Sequence, residues 1–210
     1  MSILKTINAR PRISSQSIRR LLTQRWLIVI LALALTGLGA ALAGVLFKAG
    51  VYQLDKWRLE LLIKIPPWFL LPTLGGLGGL IAGSLIKQLA PEAGGSGVTH
   101  IIAFLRHRSV PMGLRVAIVK LITGVVAIGS GFPLGPEGPA VQMGGSVAWK
   151  MAQILKAPIA FRRVIVAAGG GAGLAAIFSA PIGGFIYAIE ELLNSARPVV
   201  LLLVVVTTFW

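Results

Sequence analysis

The chain has 210 residues, of which 56% are hydrophobic and 12% charged, and its mean hydropathy is +0.86. That composition lies outside the range of soluble domains and points to a membrane protein. The formal charge is +14 with only six acidic residues, and the absence of cysteine excludes disulfides and thiolate metal sites.

Residues 1–25 are polar and basic, with Lys5, Arg10, Arg12, Arg19, Arg20 and Arg25 ahead of the first apolar run. Such a cluster fits a cytoplasmic N-terminal segment under the positive-inside rule, and contact with anionic lipid heads. Nucleic acid is the other reading of so basic a chain. The aromatic residues that interleave with basic ones in single-strand binders are missing there, and that reading is set aside. Residues 26–47 carry no charge, a length sufficient to cross a hydrocarbon core of about 30 Å. The run is too long for the apolar core of a signal peptide and no small-residue cleavage site follows, so it reads as a retained span.

A polar connection is expected at residues 48–64, where Asp55, Lys56, Arg58 and Glu60 mix. Pro66 and Pro67 open a second uncharged span at 65–86, proline being suited to a first helical turn. Within it, Gly75, Gly79 and Gly83 fall at four-residue spacing, which lets helices approach closely in lipid. Lys87 and Pro91-Glu92 mark its exit, and Gly94-Gly95-Ser96-Gly97 then breaks the chain before another helical pattern. His100 and His107 have no carboxylate nearby and read as solvated loop histidines rather than metal ligands. Arg106, Arg108 and Arg115 form a second basic cluster, consistent with the side of the N-terminus, and Lys150, Lys156, Arg162 and Arg163 a third.

Further apolar runs cover 116–134, 164–189 and 199–210. Gly169-Gly170-Gly171-Ala172-Gly173 reads as a close-packing entry to an apolar helix interrupted at Ala180-Pro181. Neither it nor 94–97 has the Gly-Lys-Ser/Thr ending of a phosphate-binding loop. The last run is short for a span and no polar tail follows, so the chain is expected to stop in mid-helix.

Three of the acids, Glu137, Glu190 and Glu191, lie in apolar sequence. An ionisable group at membrane depth costs at least about 2.5–3.5 kcal/mol, so it normally faces a cavity, a partner or a pathway. Glu137 sits in Gly135-Pro136-Glu137-Gly138-Pro139, ahead of a helix expected at 140–151 with Pro139 near its first position. Helix N-termini attract anions, and broken half-helices in membranes bring such ends to the bilayer midplane around a substrate. Ser96, between two glycines ahead of a helix, is a second candidate; a plain N-cap worth about 1 kcal/mol is its structural alternative. Glu190 and Glu191 equally fit a water-facing span end, since Asn194, Ser195 and Arg197 follow.

Gly95-Ser96-Gly97, the glutamate motif, and Gly173-Leu174-Ala175-Ala176-Ile177-Phe178-Ser179-Ala180-Pro181 followed by Glu190-Glu191 occur in this order. With Lys120 in the helix before Glu137, they resemble the CLC family of chloride channels and proton-coupled chloride transporters, from about residue 26 to the end. The resemblance implies an all-α membrane fold of tilted and broken helices, with 26–210 a partial transmembrane domain: the first half of an inverted repeat.

It also implies chloride transport in exchange for protons. Ser96 would bind the anion, with the backbone of Gly95, Gly97, Gly138 and Ala140. Glu137 would be the gate, occupying an anion site when ionised and swinging away when protonated. Glu191 would take protons from the cytoplasmic side, with Glu190 structural and Lys120 balancing the buried acids or the anion field. The expected setting is a multi-pass protein of the inner membrane, homodimeric at full length, with chloride and protons as cargo and no cofactor, metal or nucleic acid.

The chain departs from the family pattern in three places. Val98-Thr99-His100 replaces the usual Ile-Pro-Glu, and Pro136 stands where a basic residue is common. The Gly-x-Phe-x-Pro motif and anion-binding tyrosine of the second half are missing. The 210 residues alone are therefore expected to be an incomplete piece that transports nothing. A passive channel, a non-transporting assembly partner and a membrane enzyme using Glu190-Glu191 are the alternatives; no nucleophile–base pair or metal set accompanies the last.

Overall fold

A computed structural model of the chain describes residues 15–194 and 197–209. The basic residues Lys5, Arg10 and Arg12, and also Ser195 and Trp210, lie outside the described residues. Within them the regular structure is entirely helical, as the all-α expectation requires. The elements are α1 (Ser15–Leu62), α2 (Pro67–Leu89), α3 (Val98–Leu105), α4 (Leu114–Gly129), α5 (Glu137–Ile154), α6 (Ile159–Phe178), α7 (Pro181–Tyr187) and α8 (Pro198–Thr208). A 3₁₀ turn at Pro91–Ala93 precedes α3, and a π-helical turn at Ala188–Leu193 continues α7. Three helical segments, Arg25–Leu62, Pro67–Leu89 and Ile159–Phe178, are long and apolar enough to cross a membrane.

The expected polar connection at 48–64 is instead the last third of α1. This helix has 48 residues, about 72 Å at 1.5 Å per residue, far more than a hydrocarbon core. Lys56 and Glu60, four residues apart, share an exposed face of the helix, while Phe47, Gly50, Leu54 and Arg58, spaced by three and four, turn toward α4 and the connection after it. A methyl at Gly50 would lie 2.9 Å from Val125 Cγ1, one at Gly124 2.7 Å from the Phe47 ring, and one at Gly129 2.5 Å from Leu54 Cβ. The chain turns only after Leu62, ahead of Pro66 and Pro67.

The glycine stripe of α2 also differs from its expected register. Gly75 and Gly83 have no neighbouring atom within reach of a Cβ. The close approach is made by Gly78 and Gly79, against Ser130 and Phe132. A four-residue repeat marks one helix face but does not say which neighbour arrives there.

The core is the α5–α6 pair, with α1 laid across it. Gly169–Gly173 is not a helix entry; it is the buried middle of α6. A Cβ on Gly144 of α5 would meet Gly173 N at 3.0 Å, and one on Gly169 would meet Thr36 Cγ2 of α1 at 2.9 Å. Glycine inside a helix costs about 0.5–1 kcal/mol relative to alanine. Here the loss is offset by backbone-to-backbone packing, the usual association mode of helices in lipid.

The α6 helix ends at Ser179, which takes the left-handed conformation (φ 54°, ψ 38°) and accepts a hydrogen bond from Lys48 Nζ at 3.1 Å. Proline at 181 then opens α7. This is the interruption expected at Ala180-Pro181.

Candidate anion site

Glu137 is the first residue of α5, and the helix runs from Glu137 to Ile154. It therefore begins three residues earlier than expected, with Pro136 as its N-cap and Pro139 at the third position. The first backbone N–H groups of a helix have no intrahelical acceptor. Two of the four positions here are prolines without an N–H, so the donors left over belong to Glu137 and Gly138. The Ala140 N–H is already used, donating to Pro136 O at 3.0 Å. Ala140 is fully buried. Ala140 therefore has no free N–H to offer at the helix start, unlike Glu137 and Gly138.

The glycine-rich loop lies directly on this helix start. A Cβ at Gly138 would overlap the Ser96 carbonyl, and one at Gly97 would stand 2.7 Å from Gln142 Cβ and 2.9 Å from Gly138 O. Gly95 and Gly97 both have left-handed φ, 68° and 86°, a conformation that glycine adopts without steric cost. Gly97 is the N-cap of α3. Ser96 is one residue further out, so the plain N-cap alternative does not apply to it. Among the described residues its hydroxyl makes no hydrogen bond.

Two buried side chains tie the loop down. Lys120 of α4, 5% exposed, donates from Nζ to Ala93 O at 2.9 Å and to Gly95 O at 2.6 Å. Gln142 of α5 donates from Nε2 to Glu92 O at 2.7 Å. Lys120 was expected to balance the buried acids, yet no carboxylate pairs with it among the described residues, where the ion pair found is Arg58–Asp55. It acts instead on carbonyls, and its charge stays uncompensated beside the cavity. Gln142 escaped the sequence reading; its only signal was an amide side chain in an otherwise apolar turn after the glutamate motif.

These parts enclose a cavity of about 680 Å³ lined by Ser96, Lys120, Thr123, Gly135, Glu137 and Gly138, among others. The Thr123 hydroxyl is turned away, donating to Val119 O at 2.8 Å. The Glu137 side chain folds back over Gly135. A helix N-terminus, a serine hydroxyl and an unpaired buried ammonium all favour negative charge in the same space. The Glu137 carboxylate is the negative group the chain itself supplies there.

Glu190 and Glu191 are elsewhere. Both are exposed on the π-helical turn, while Ala188 and Leu192 of the same turn point into the core. With Tyr187, Leu174 and Phe178 they line a separate cavity of about 420 Å³ that shares no lining residue with the first. Single π turns recur at functional sites, and nothing in the sequence announced this one.

The histidines are corrected in part. His107 is exposed and accepts a hydrogen bond at Nε2 from the Arg163 guanidinium at 2.9 Å. His100, expected in a solvated loop, is in α3, half-buried, with Nδ1 buried and unpartnered among the described residues. The shortness of α3 hid its helical setting.

Comparison with known proteins shows the family of the chain and its fold. A family model described as voltage gated chloride channel matches residues 78–210. The H(+)/Cl(-) exchange transporter ClcA of Cronobacter sakazakii is 37% identical over 172 residues, covering 79% of this chain and 37% of that protein. The protein of the same name from Yersinia pestis bv. Antiqua is 35% identical over 178 residues, covering 81% and 37%. Among solved structures, a slow cyanobacterial Cl-/H+ antiporter aligns with a TM-score of 0.74 and 32% identity, covering 87% of this chain and 44% of that one. A eukaryotic CLC transporter aligns with a TM-score of 0.76 and 26% identity, covering 89% and 37%. The chain thus spans little more than a third of the length of these ClcA relatives. With the family model matched over more than half of its residues, the chain belongs to the voltage gated chloride channel family, the CLC proteins.

Proposed function

We propose that the protein takes part in transmembrane chloride transport as a chloride/proton exchanger, and that the cavity between the Ser96 loop and the start of α5 is its anion site. The observation that carries this reading is the convergence of Ser96, the Glu137 and Gly138 N–H groups and the unpaired Lys120 ammonium on one cavity that also receives the Glu137 carboxylate. Chloride has no directional demands and needs only donors and positive potential. A carboxylate meets the same donors, so Glu137 and chloride compete for them.

The competition supplies a gate. Ionised, the carboxylate holds the site; protonated, it loses its attraction to the helix end and yields to the anion. Glu191 is the internal proton station in this reading, as an acid that lines a cavity separate from the anion site. The exchange named for the ClcA relatives and the cyanobacterial antiporter favours coupling over passive conduction. The inner membrane as location, a cytoplasmic N-terminus and a homodimer belong to the same proposal.

The test is paired flux measurement in liposomes carrying the full-length parent of this chain. Glu191→Gln is expected to lower proton movement at least about ten-fold, the effect of about 1.4 kcal/mol, while chloride flux persists. Proton movement that still follows chloride in that variant would falsify the assignment of Glu191.

A further inference from the structure

The connection between α4 and α5, residues 130–136, is gripped from outside by two other helices. On one side α2 closes on it: a methyl at Gly78 would lie 2.5 Å from Ser130 Cβ, and one at Gly79 2.8 Å from the Phe132 ring. On the other side α1 reaches Gly131. Its φ is 102°, and a Cβ there would lie 2.6 Å from an Arg58 guanidinium nitrogen and 3.6 Å from the guanidinium carbon. Arg58 is steadied by its ion pair with Asp55, one turn earlier on α1. Its Nε is buried and unpartnered among the described residues.

Downstream, the same connection contains Gly135, against which the Glu137 carboxylate is folded. Whatever fixes 130–136 therefore fixes the surface on which that carboxylate rests. We propose that Arg58 is a positioning residue for Glu137: the guanidinium, with one nitrogen set against Gly131 where any side chain would stand, sets the α4–α5 connection and through it the resting place of the carboxylate. The positioning rests on the reading of Glu137 as the gate, but the geometry of the carboxylate can be measured without transport.

Carbodiimide labelling of carboxylates, read by mass spectrometry on the reconstituted protein, reports the accessibility of Glu137, with Glu191 as internal reference. In Arg58→Met the Glu137 labelling rate is expected to rise about two-fold, the effect of about 0.4 kcal/mol, a modest change because the side chain is already exposed. The Glu191 rate should stay constant, and Arg58→Lys should restore part of the wild-type value. Asp55→Asn, which removes only the exposed partner, should give a smaller rise and serves if Arg58→Met fails to fold. In flux assays the proton-to-chloride ratio should fall while the chloride concentration for half-maximal flux is unchanged. An unchanged Glu137 rate in the folded variants, or an equal rise at Glu191, overturns the proposal. Absence of proton-coupled flux in the full-length parent would refute the exchanger reading instead, and the labelling result would still decide the role of Arg58.

Discussion

The two acidic regions of this protein are built in different ways. Around Glu137 the chain commits five separate elements. The α5 helix offers its N-terminus, the loop before α3 lays Ser96 on it, Lys120 reaches from α4 to hold that loop, and α1 and α2 pin the connection. Around Glu190 and Glu191 a single irregular turn does the work, swinging two acids outward while its apolar residues stay packed. The first region has its groups held from several directions; the second presents carboxylates with little around them to fix their position. Binding an ion selectively requires donors held in place, whereas passing a proton requires only a titratable group within reach of water.

Substitutions that disturb the backbone of the first region should have the largest effect. Gly138→Ala forces a methyl into the Ser96 carbonyl. It is expected to cost up to about 3 kcal/mol in stability, typical of overpacking, and to abolish chloride binding, as read by thermal unfolding and chloride titration. Lys120→Met comes next, removing two charge-assisted hydrogen bonds at a cost of about 2 kcal/mol. Titration should show chloride affinity lowered more than ten-fold, an effect of that size. Ser96→Ala removes one hydroxyl donor and should weaken chloride by about 1 kcal/mol with the unfolding temperature unchanged. Glu190→Gln, in the loosely built region, should change stability by less than about 0.5 kcal/mol, as expected for an exposed side chain. Were Lys120→Met as mild as Glu190→Gln, the contrast between the two regions would collapse.

The agreement and disagreement between sequence and structure follow the range of the interactions involved. Local chemistry was legible: Pro67 and Pro181 open helices, and Gly97 breaks the chain before α3. Contacts between distant segments were not. The charges at 55–60 suggested a loop because a solvated helix face and a loop have the same composition. Only the packing of Gly50 and Leu54 on α4 reveals the helix. Lys120 was visible as a buried charge, but its acceptors lie more than two dozen positions away on the chain.

The sequence by itself determined that this chain is a membrane protein of broken helices with acids set in apolar sequence. Hydropathy, proline and glycine act through the backbone of the residues that carry them. The tertiary structure decided where α5 begins, which leaves the N–H groups of Glu137 and Gly138 without intrahelical acceptors and ties that of Ala140 to Pro136 O. It also set Lys120 on carbonyls rather than carboxylates. Those outcomes depend on where one helix begins and which loop lands on it, and the interactions that settle both join residues far apart in the chain.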